Sequence, residues 1–228
     1  MMIDNKTTPK IFEDAILDYA AGKLSPARRA IIACQRDISE AVNREISFHE
    51  TIAAGLMGAE DGVALSPDFF DNIKARISQL DAGDDHTSGA AQGAIADTPL
   101  PRILERLCGC SLSEIKWKTI VPGLVISAIN GDRKTKKTGE CLYLLRGKSG
   151  VRIPEHSHVG EEWALILQGA YESGGVQYSA GDIHISNEHD DHGPQVVEGE
   201  DCVCLVMTEG PLKMKKFWSR ILQPRIGI

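Results

Sequence analysis

The sequence lacks the short motifs that mark the most common cysteine-based and nucleophilic sites. None of its six cysteines stands in a Cys-x-x-Cys pair, which excludes the usual zinc-knuckle and thioredoxin-like signatures. There is no GxSxG motif, no P-loop and no Rossmann glycine fingerprint. Nothing in the chain therefore supports nucleophilic catalysis.

Long apolar runs are absent as well. No segment approaches the ~20 apolar residues of a membrane span, and the polar start MMIDNKTTPK carries no secretory signal. We therefore expect a cytoplasmic protein with reduced thiols and no membrane partner.

Basic stretches are scarce, and the formal net charge is −7. The short run KTKK at 134–137 is typical of a solvated hairpin tip, so direct binding of nucleic acid is not expected. The acidic balance favours a basic protein partner instead.

The length of 228 residues predicts two domains. Residues 1–80 show helical spacing of apolar residues and predict a small all-helical domain. Its second helix begins at Ser25-Pro26, a capping serine followed by a proline suited to the first helical position. Residues 81–99, rich in Asp, Gly, Ala, Ser and Thr, predict a flexible linker. The helices are expected over residues 11–21, 27–48, 49–57 and 66–80.

From residue 100 to residue 228 the sequence changes to short apolar runs separated by turn residues, which predicts an all-β barrel or sandwich. Several of these runs are apolar at every position, so we expect another sheet or a partner to cover the outer face. Turns are expected at residues 130–132 and at Gly174-Gly175. The strand candidates are WKTIVPGLVISAI, CLYLLRG, EWALILQGAYE, GDIHIS and DCVCLVMTE.

The stretch GVRIPEHSHVGEEWALILQG, residues 150–169, carries the strongest chemical signal. His156 and His158 share one face of an extended chain because side chains at i and i+2 point the same way. Glu162 can join them, and imidazole with carboxylate suits Zn, Mn, Fe or Ni. The spacing predicts a site for one divalent metal ion.

A fourth ligand is expected after the turn at Gly181-Asp182, where His192 follows a short apolar strand. His184 lies within that strand and could face inward or outward, whereas His189 and its neighbouring aspartates are expected in an exposed loop. Four protein ligands are typical of structural zinc, and iron, manganese or nickel stay open as alternatives.

The spacing of Gly150, His156, His158, Glu162 and Gly169 resembles the first cupin motif. The fuller pattern LILQGAY, AGDIHI, HGPQV and EDCVCLVMTEGPL is similar to the C-terminal domain of the ChrR family of anti-sigma factors. The resemblance implies a double-stranded β-helix, or jelly-roll barrel, with zinc held by His156, His158, Glu162 and His192. It also implies a sigma factor as the partner of the helical domain.

The helical domain departs from that family at its own zinc site. The family carries three ligands on a long helix and one histidine before it. In this sequence the corresponding positions fall at or near Cys34, Ile38 and Ala41, with the earlier histidine near Pro9 or Lys10. Positions i, i+4 and i+7 share a helix face, so we expect an apolar stripe there in place of the metal.

Cys202 and Cys204 lie on one face of a strand, where the parallel side chains suit a disulfide poorly. The ChrR resemblance includes such a pair, and a redox role is one hypothesis. Burial as two core cysteines is the other.

Three functional hypotheses follow. The first is an anti-sigma factor that sequesters an extracytoplasmic-function sigma factor and releases it when the cupin senses oxidative stress. The second is a metal-dependent cupin enzyme, a dioxygenase or isomerase, with a helical appendage. The third is a ligand-binding cupin whose helical domain forms a homodimer.

Overall fold

A computed structural model describes residues 9–58, 62, 64–81, 101–109, 114–129 and 139–214. The predicted linker, the turn at 130–132 and the basic run at 134–137 therefore lie outside the described residues, apart from Asp81.

The helical region begins as the sequence predicts. Ser25 caps the second helix, with its hydroxyl accepting a hydrogen bond from the Arg28 backbone N–H at 3.3 Å, and Pro26 opens the helix. No helix among the described residues is both long and apolar enough to cross a bilayer. The helices are α1 (Pro9–Ala20), α2 (Pro26–Ile38), α3 (Glu40–Met57), α4 (Phe69–Asp81) and α5 (Arg102–Cys108).

The prediction of a single helix over 27–48 is wrong, because the helix is interrupted at Ser39. Ser39 has an extended backbone (φ −122°, ψ 108°), and its hydroxyl accepts a hydrogen bond from the Val42 N–H at 3.4 Å. Serine is a strong N-cap residue, so it ends α2 and starts α3 at one position. The helix predicted over 49–57 is the second half of α3, and the sequence did not predict α5.

Each predicted strand segment forms strands, and two segments divide at a turn. The strands are β1 (Lys118–Val121), β2 (Leu124–Ala128), β3 (Cys141–Gly147), β4 (His156–Ser157), β5 (Glu162–Gln168), β6 (Ala170–Ser173), β7 (Val176–Ser179), β8 (Ile183–Ser186), β9 (Gln195–Val196), β10 (Cys202–Thr208) and β11 (Lys213–Met214). They form a six-stranded sheet in the order β1-β2-β3-β10-β5-β8, a three-stranded sheet β7-β6-β9 and a pair β11-β4. The turn at Gly174-Gly175 joins β6 to β7, as predicted.

Two neighbouring strands of the six-stranded sheet, β5 and β10, are buried on both faces. Alternate residues of these strands, such as Ala164 and Cys204, belong to a core inside the β-sandwich. Their neighbours, such as Leu165 and Leu205, share a second core with helix residues. The expectation that another sheet or a partner covers the outer face is therefore wrong, because helices of the same chain cover it.

Candidate metal centre

Three separate segments bring the predicted ligands together. His156 lies on β4, His158 follows that strand, Glu162 opens β5, and His192 forms an isolated antiparallel bridge with His156. The His156 N–H donates to the His192 carbonyl at 3.0 Å, and the His192 N–H donates back at 3.1 Å. One candidate ligand atom from each of the four residues lies within 4.8 Å of the others.

The glycines that bracket the motif have steric reasons to be glycine. Gly150 (φ +71°) and Gly169 (φ +70°) both adopt the left-handed conformation. A Cβ on Gly169 would lie 2.5 Å from the Asp201 carbonyl oxygen, and one on Gly150 would lie 2.5 Å from a Glu198 carboxylate oxygen. Gly150 precedes the histidine segment and Gly169 follows β5, and glycine is favoured at both because an L side chain rarely adopts a positive φ.

The imidazole rings present nitrogen lone pairs to one point. His156 Nδ1 lies 2.7 Å from the Pro154 carbonyl oxygen, so it carries the proton and leaves Nε2 as an acceptor. His192 Nε2 lies 3.0 Å from His158 Nε2 and 3.1 Å from His156 Nε2. Three ring nitrogens cannot all satisfy one another with protons at this spacing, whereas a metal ion would bind them together.

Glu162 completes the group. Its carboxylate oxygens lie 3.6 Å from His192 Nε2 and 3.5 Å from His158 Nδ1. His158 Nδ1 is buried without a hydrogen-bond partner, which is costly unless another group satisfies the cluster. Three neutral imidazoles and one buried carboxylate are a donor set that fits a divalent cation.

Burial controls the protonation of this group. It lowers the pKa of His156, lowers that of His158 to about 4, and lowers that of His192 to about 2, with the neighbouring histidines adding to the last two shifts. These rings are therefore neutral at pH 7, the form that binds metals. Burial also raises the pKa of Glu162 to about 8, against a smaller opposing effect of a hydrogen bond from Tyr143. A cation would favour its carboxylate form.

A second layer of side chains orients His192. The Ser186 hydroxyl lies 3.2 Å from His192 Nδ1 and 3.3 Å from His184 Nε2. His184 Nδ1 in turn lies 3.0 Å from the Tyr171 hydroxyl, and its ring stacks on Tyr178 with centroids 4.3 Å apart. His184 thus faces this network rather than the ligand group. Ser186 is not among the residues predicted from the sequence, although its i+2 spacing from His184 was the available signal.

The predicted pair of cysteines lies on β10, and Cys204 shares a cavity wall with two of the candidate ligands. Cys202 and Cys204 are buried, their sulfurs are 3.6 Å apart, and both are free thiols. The hydrogen bond to Cys202, followed by burial, raises the pKa of the Cys204 thiol well above its ordinary value. A cavity of about 60 Å³ has Cys204, His156 and Glu162 in its wall.

The expectation of an apolar stripe at Cys34, Ile38 and Ala41 is wrong. Cys34 is fully buried in α2, where burial raises its pKa to about 12. Ile38 is 37% exposed at the end of α2, and Ala41 is exposed on α3. The three positions share no helix face because Ser39 separates the two helices. Within the described residues, the group around His192 is the one cluster of three or more His, Cys, Asp or Glu able to hold a metal.

Comparison with known proteins agrees with the architecture. Residues 106–213 match the ChrR cupin-like domain family. The C-terminal half of the chain is therefore similar to this family. The resemblance to ChrR proteins that the motifs predict is thereby confirmed, as is the fold of a helical region followed by a cupin.

The likeness to ChrR extends beyond the cupin. The chain is 29% identical over 214 residues to anti-sigma-E factor ChrR of Cereibacter sphaeroides, covering 92% of this chain and 94% of the relative. It matches a chain of the crystal structure of Rhodobacter sphaeroides SigE in complex with the anti-sigma ChrR. That match has a TM-score of 0.63 and 26% identity over 86% of this chain and 96% of the other. An RmlC-like cupin from Ralstonia eutropha aligns over 51% of this chain and 82% of its own, with 19% identity and a TM-score of 0.42.

Proposed function

We propose that this protein is an anti-sigma factor of the ChrR type, whose helical region binds an extracytoplasmic-function sigma factor in the cytoplasm. The observation that carries the proposal is the extent of the likeness to ChrR. It covers 92% of the chain in sequence and 86% in structure, and so includes the helices as well as the cupin. The matching crystal structure contains ChrR bound to SigE.

Helices α3 and α4 each expose apolar side chains that suit such a partner. Phe48, Ile52 and Leu56 are spaced four residues apart on α3, so they lie along one face of the helix. On α4, Phe70 is 67% exposed and Ile77 is 51% exposed. Apolar side chains exposed in this number favour a protein–protein interface, and we assign the sigma factor to it.

The cupin would hold one divalent cation through His156, His158, Glu162 and His192. Zinc is favoured because four protein donors make a closed site, with iron, manganese or nickel as alternatives. A bound cation would supply a positive charge beside the buried Glu162 carboxylate. The protein supplies the rest by keeping the imidazoles neutral and by orienting His192 through Ser186.

The same region provides a place to sense an oxidant. The cavity of about 60 Å³ is mostly apolar and brings Cys204 into one space with His156 and Glu162. A small oxidant such as singlet oxygen or peroxide would meet the ligands there, whereas the raised pKa keeps the buried Cys204 thiol protonated and poorly reactive. We propose that this chemistry perturbs the metal centre and releases the sigma factor.

The enzymatic alternative has less support from the geometry. Ligand pockets commonly measure roughly 300–1,000 Å³, and the cavity at the centre is far smaller. A cleft of about 1060 Å³ lies outside it, lined by His184, Ser186 and His192 but by none of the other three candidate ligands. A substrate in that cleft would meet the centre only at His192.

Inhibition of transcription tests the proposal. Purified protein should inhibit transcription by RNA polymerase with a cognate extracytoplasmic-function sigma factor, and should bind that sigma factor in pull-downs.

Ile52→Asp and Phe70→Asp should each weaken binding about 10-fold or more by placing a charge in an apolar interface. Val176→Asp, on an exposed residue of the cupin hairpin, is the matched control and should bind normally. Failure of every candidate sigma factor to bind the wild-type protein would exclude the anti-sigma reading.

A further inference from the structure

Helix α2 lies against the outer side of the strands that carry and border the metal centre. It contacts both β5 and β10, and Ile31 and Ile32, both fully buried, belong to the same core as Leu165 and Leu205. The helical region is therefore packed on the cupin through a continuous apolar layer.

A single arginine on α2 contacts four side chains at the edge of that layer, one of them Glu140, whose Oε1 lies 3.7 Å from Arg28 Nε. Arg28 Nη2 donates to Glu161 Oε2 at 3.0 Å and to Glu209 Oε1 at 2.6 Å. Its guanidinium also lies over the ring of Trp163, 5.3 Å from the centroid. The Trp163 indole N–H donates to the same Glu161 oxygen at 3.0 Å, so these side chains form one unit.

The residues that Arg28 holds surround the ligand Glu162. Glu161 and Trp163 are the sequence neighbours of Glu162. Thr208 on β10 is the cross-strand partner of Glu162, and Glu209 directly follows Thr208. Because side chains alternate along a strand, Trp163 points to α2 while Glu162 points to the metal centre. Arg28 therefore fixes the backbone from which Glu162 projects.

A second contact lies two helical turns further along α2. Gln35 is buried, and its side-chain N–H donates to the Gly181 carbonyl at 2.9 Å. Gly181 precedes β8, which pairs with β5 so that Ser186 stands opposite Glu162. Ser186, at the other end of β8, contacts His192, so Gln35 binds the start of the strand that carries this support.

We propose that Arg28 and Gln35 couple metal occupancy of the cupin to the docking of α2. The coupling rests on the proposed metal centre, and it deepens the proposed function by giving a route from that centre to the sigma-binding helices. A metal ion holds Glu162 and His192 in position and thereby stabilises the surface that receives α2. By linkage, a docked α2 strengthens metal binding by the same factor.

Zinc affinity of the full-length protein without any sigma factor tests the coupling. Metal-free Arg28→Gln and Gln35→Ala variants are titrated with Zn²⁺ against a chromogenic chelator, and hydrogen exchange of α2 is measured with and without zinc in the wild type. Both variants should bind zinc at least roughly 5-fold more weakly. Zinc should slow exchange of the wild-type α2 amides by at least a similar factor. Arg44→Gln, which removes an exposed pair with Glu40, is the matched control and should keep wild-type affinity.

Two results would overturn the coupling. One is wild-type zinc affinity in both α2 variants, and the other is α2 exchange in the wild type that is unchanged by zinc. The exchange measurement needs no variant, so misfolding of a variant leaves the test intact. Because no sigma factor is present, a failure here is separate from a failure of the anti-sigma proposal, which the binding experiment measures.

Discussion

At the scale of single residues, three of the four candidate ligands were predictable because they obey local spacing, whereas His192 was chosen from its place after the next turn and from the family resemblance. His156 and His158 are two residues apart, and the glycines bracket a strand that must start at Glu162. The contacts of Arg28 were not predictable, since they depend on chain segments that meet only in the folded protein. Arg28 lies 133 residues from Glu161 and 181 from Glu209.

Glu162→Gln should separate metal binding from stability. The substitution keeps the side-chain size but removes the charged ligand, so zinc affinity should fall by roughly 100-fold or more. This loss exceeds the one usually seen when a residue that only orients a ligand is changed. Competition with a chromogenic chelator measures that affinity. An affinity within a few-fold of the wild type would remove Glu162 from the ligand set.

In the metal-free protein, the same substitution should be stabilising at high pH. Burial raises the pKa of Glu162 from 4.5 to about 8. The group therefore contributes most to stability below pH 4.5, and its contribution is lost as the pH rises towards 8. Between pH 5 and pH 8, the free energy of unfolding of Glu162→Gln should rise by at least ~1 kcal/mol relative to that of the wild type. Urea unfolding with a chelator present measures this change. A constant difference across that range would contradict the account.

Ser186→Ala should weaken zinc binding about 10-fold while the fold stays intact. The hydroxyl is the group that contacts His192 Nδ1 and His184 together, and loss of such an orienting partner commonly costs this much. Zinc titration and circular dichroism measure the two effects. Ser173→Ala, at another buried serine, should leave the affinity unchanged; equal losses in both variants would mean a general packing defect.

At the scale of elements, the strands were easier to predict than the helices. Each predicted strand segment had flanking turn residues, whereas the helical spacing continued without interruption from residue 27 to residue 48. The break came from capping at Ser39, where a hydroxyl satisfies the Val42 N–H. Periodicity does not detect this competition, because Ser39 is compatible with both a helix interior and a cap.

Ser39→Ala should lower the free energy of unfolding by about 1 kcal/mol, the usual cost of losing an N-cap hydroxyl. Chemical denaturation followed by circular dichroism measures the change. Ser78→Ala, on the exposed surface of α4, should change stability by no more than ~0.5 kcal/mol. A Ser39→Ala protein as stable as wild type would mean that the cap contributes nothing and that α2 and α3 are separated by packing alone.

At the scale of the whole molecule, the fold explains why some strands are apolar on both faces. The sequence indicated that something covers the outer face of the sheet, but it could not reveal that α2 of the same chain does so. Helix packing at that face depends on contacts distant in sequence, which no local pattern encodes. The consequence is that the cupin and the helical region share one core.

The central claim is that this chain binds a sigma factor while holding one metal ion in its cupin. Native mass spectrometry of the protein co-purified with a co-expressed extracytoplasmic-function sigma factor tests both parts at once. The account predicts a one-to-one complex with about one zinc per chain, and loss of that zinc in the Glu162→Gln variant. A chain that carries stoichiometric iron and binds no sigma factor would contradict the account and favour a cupin enzyme.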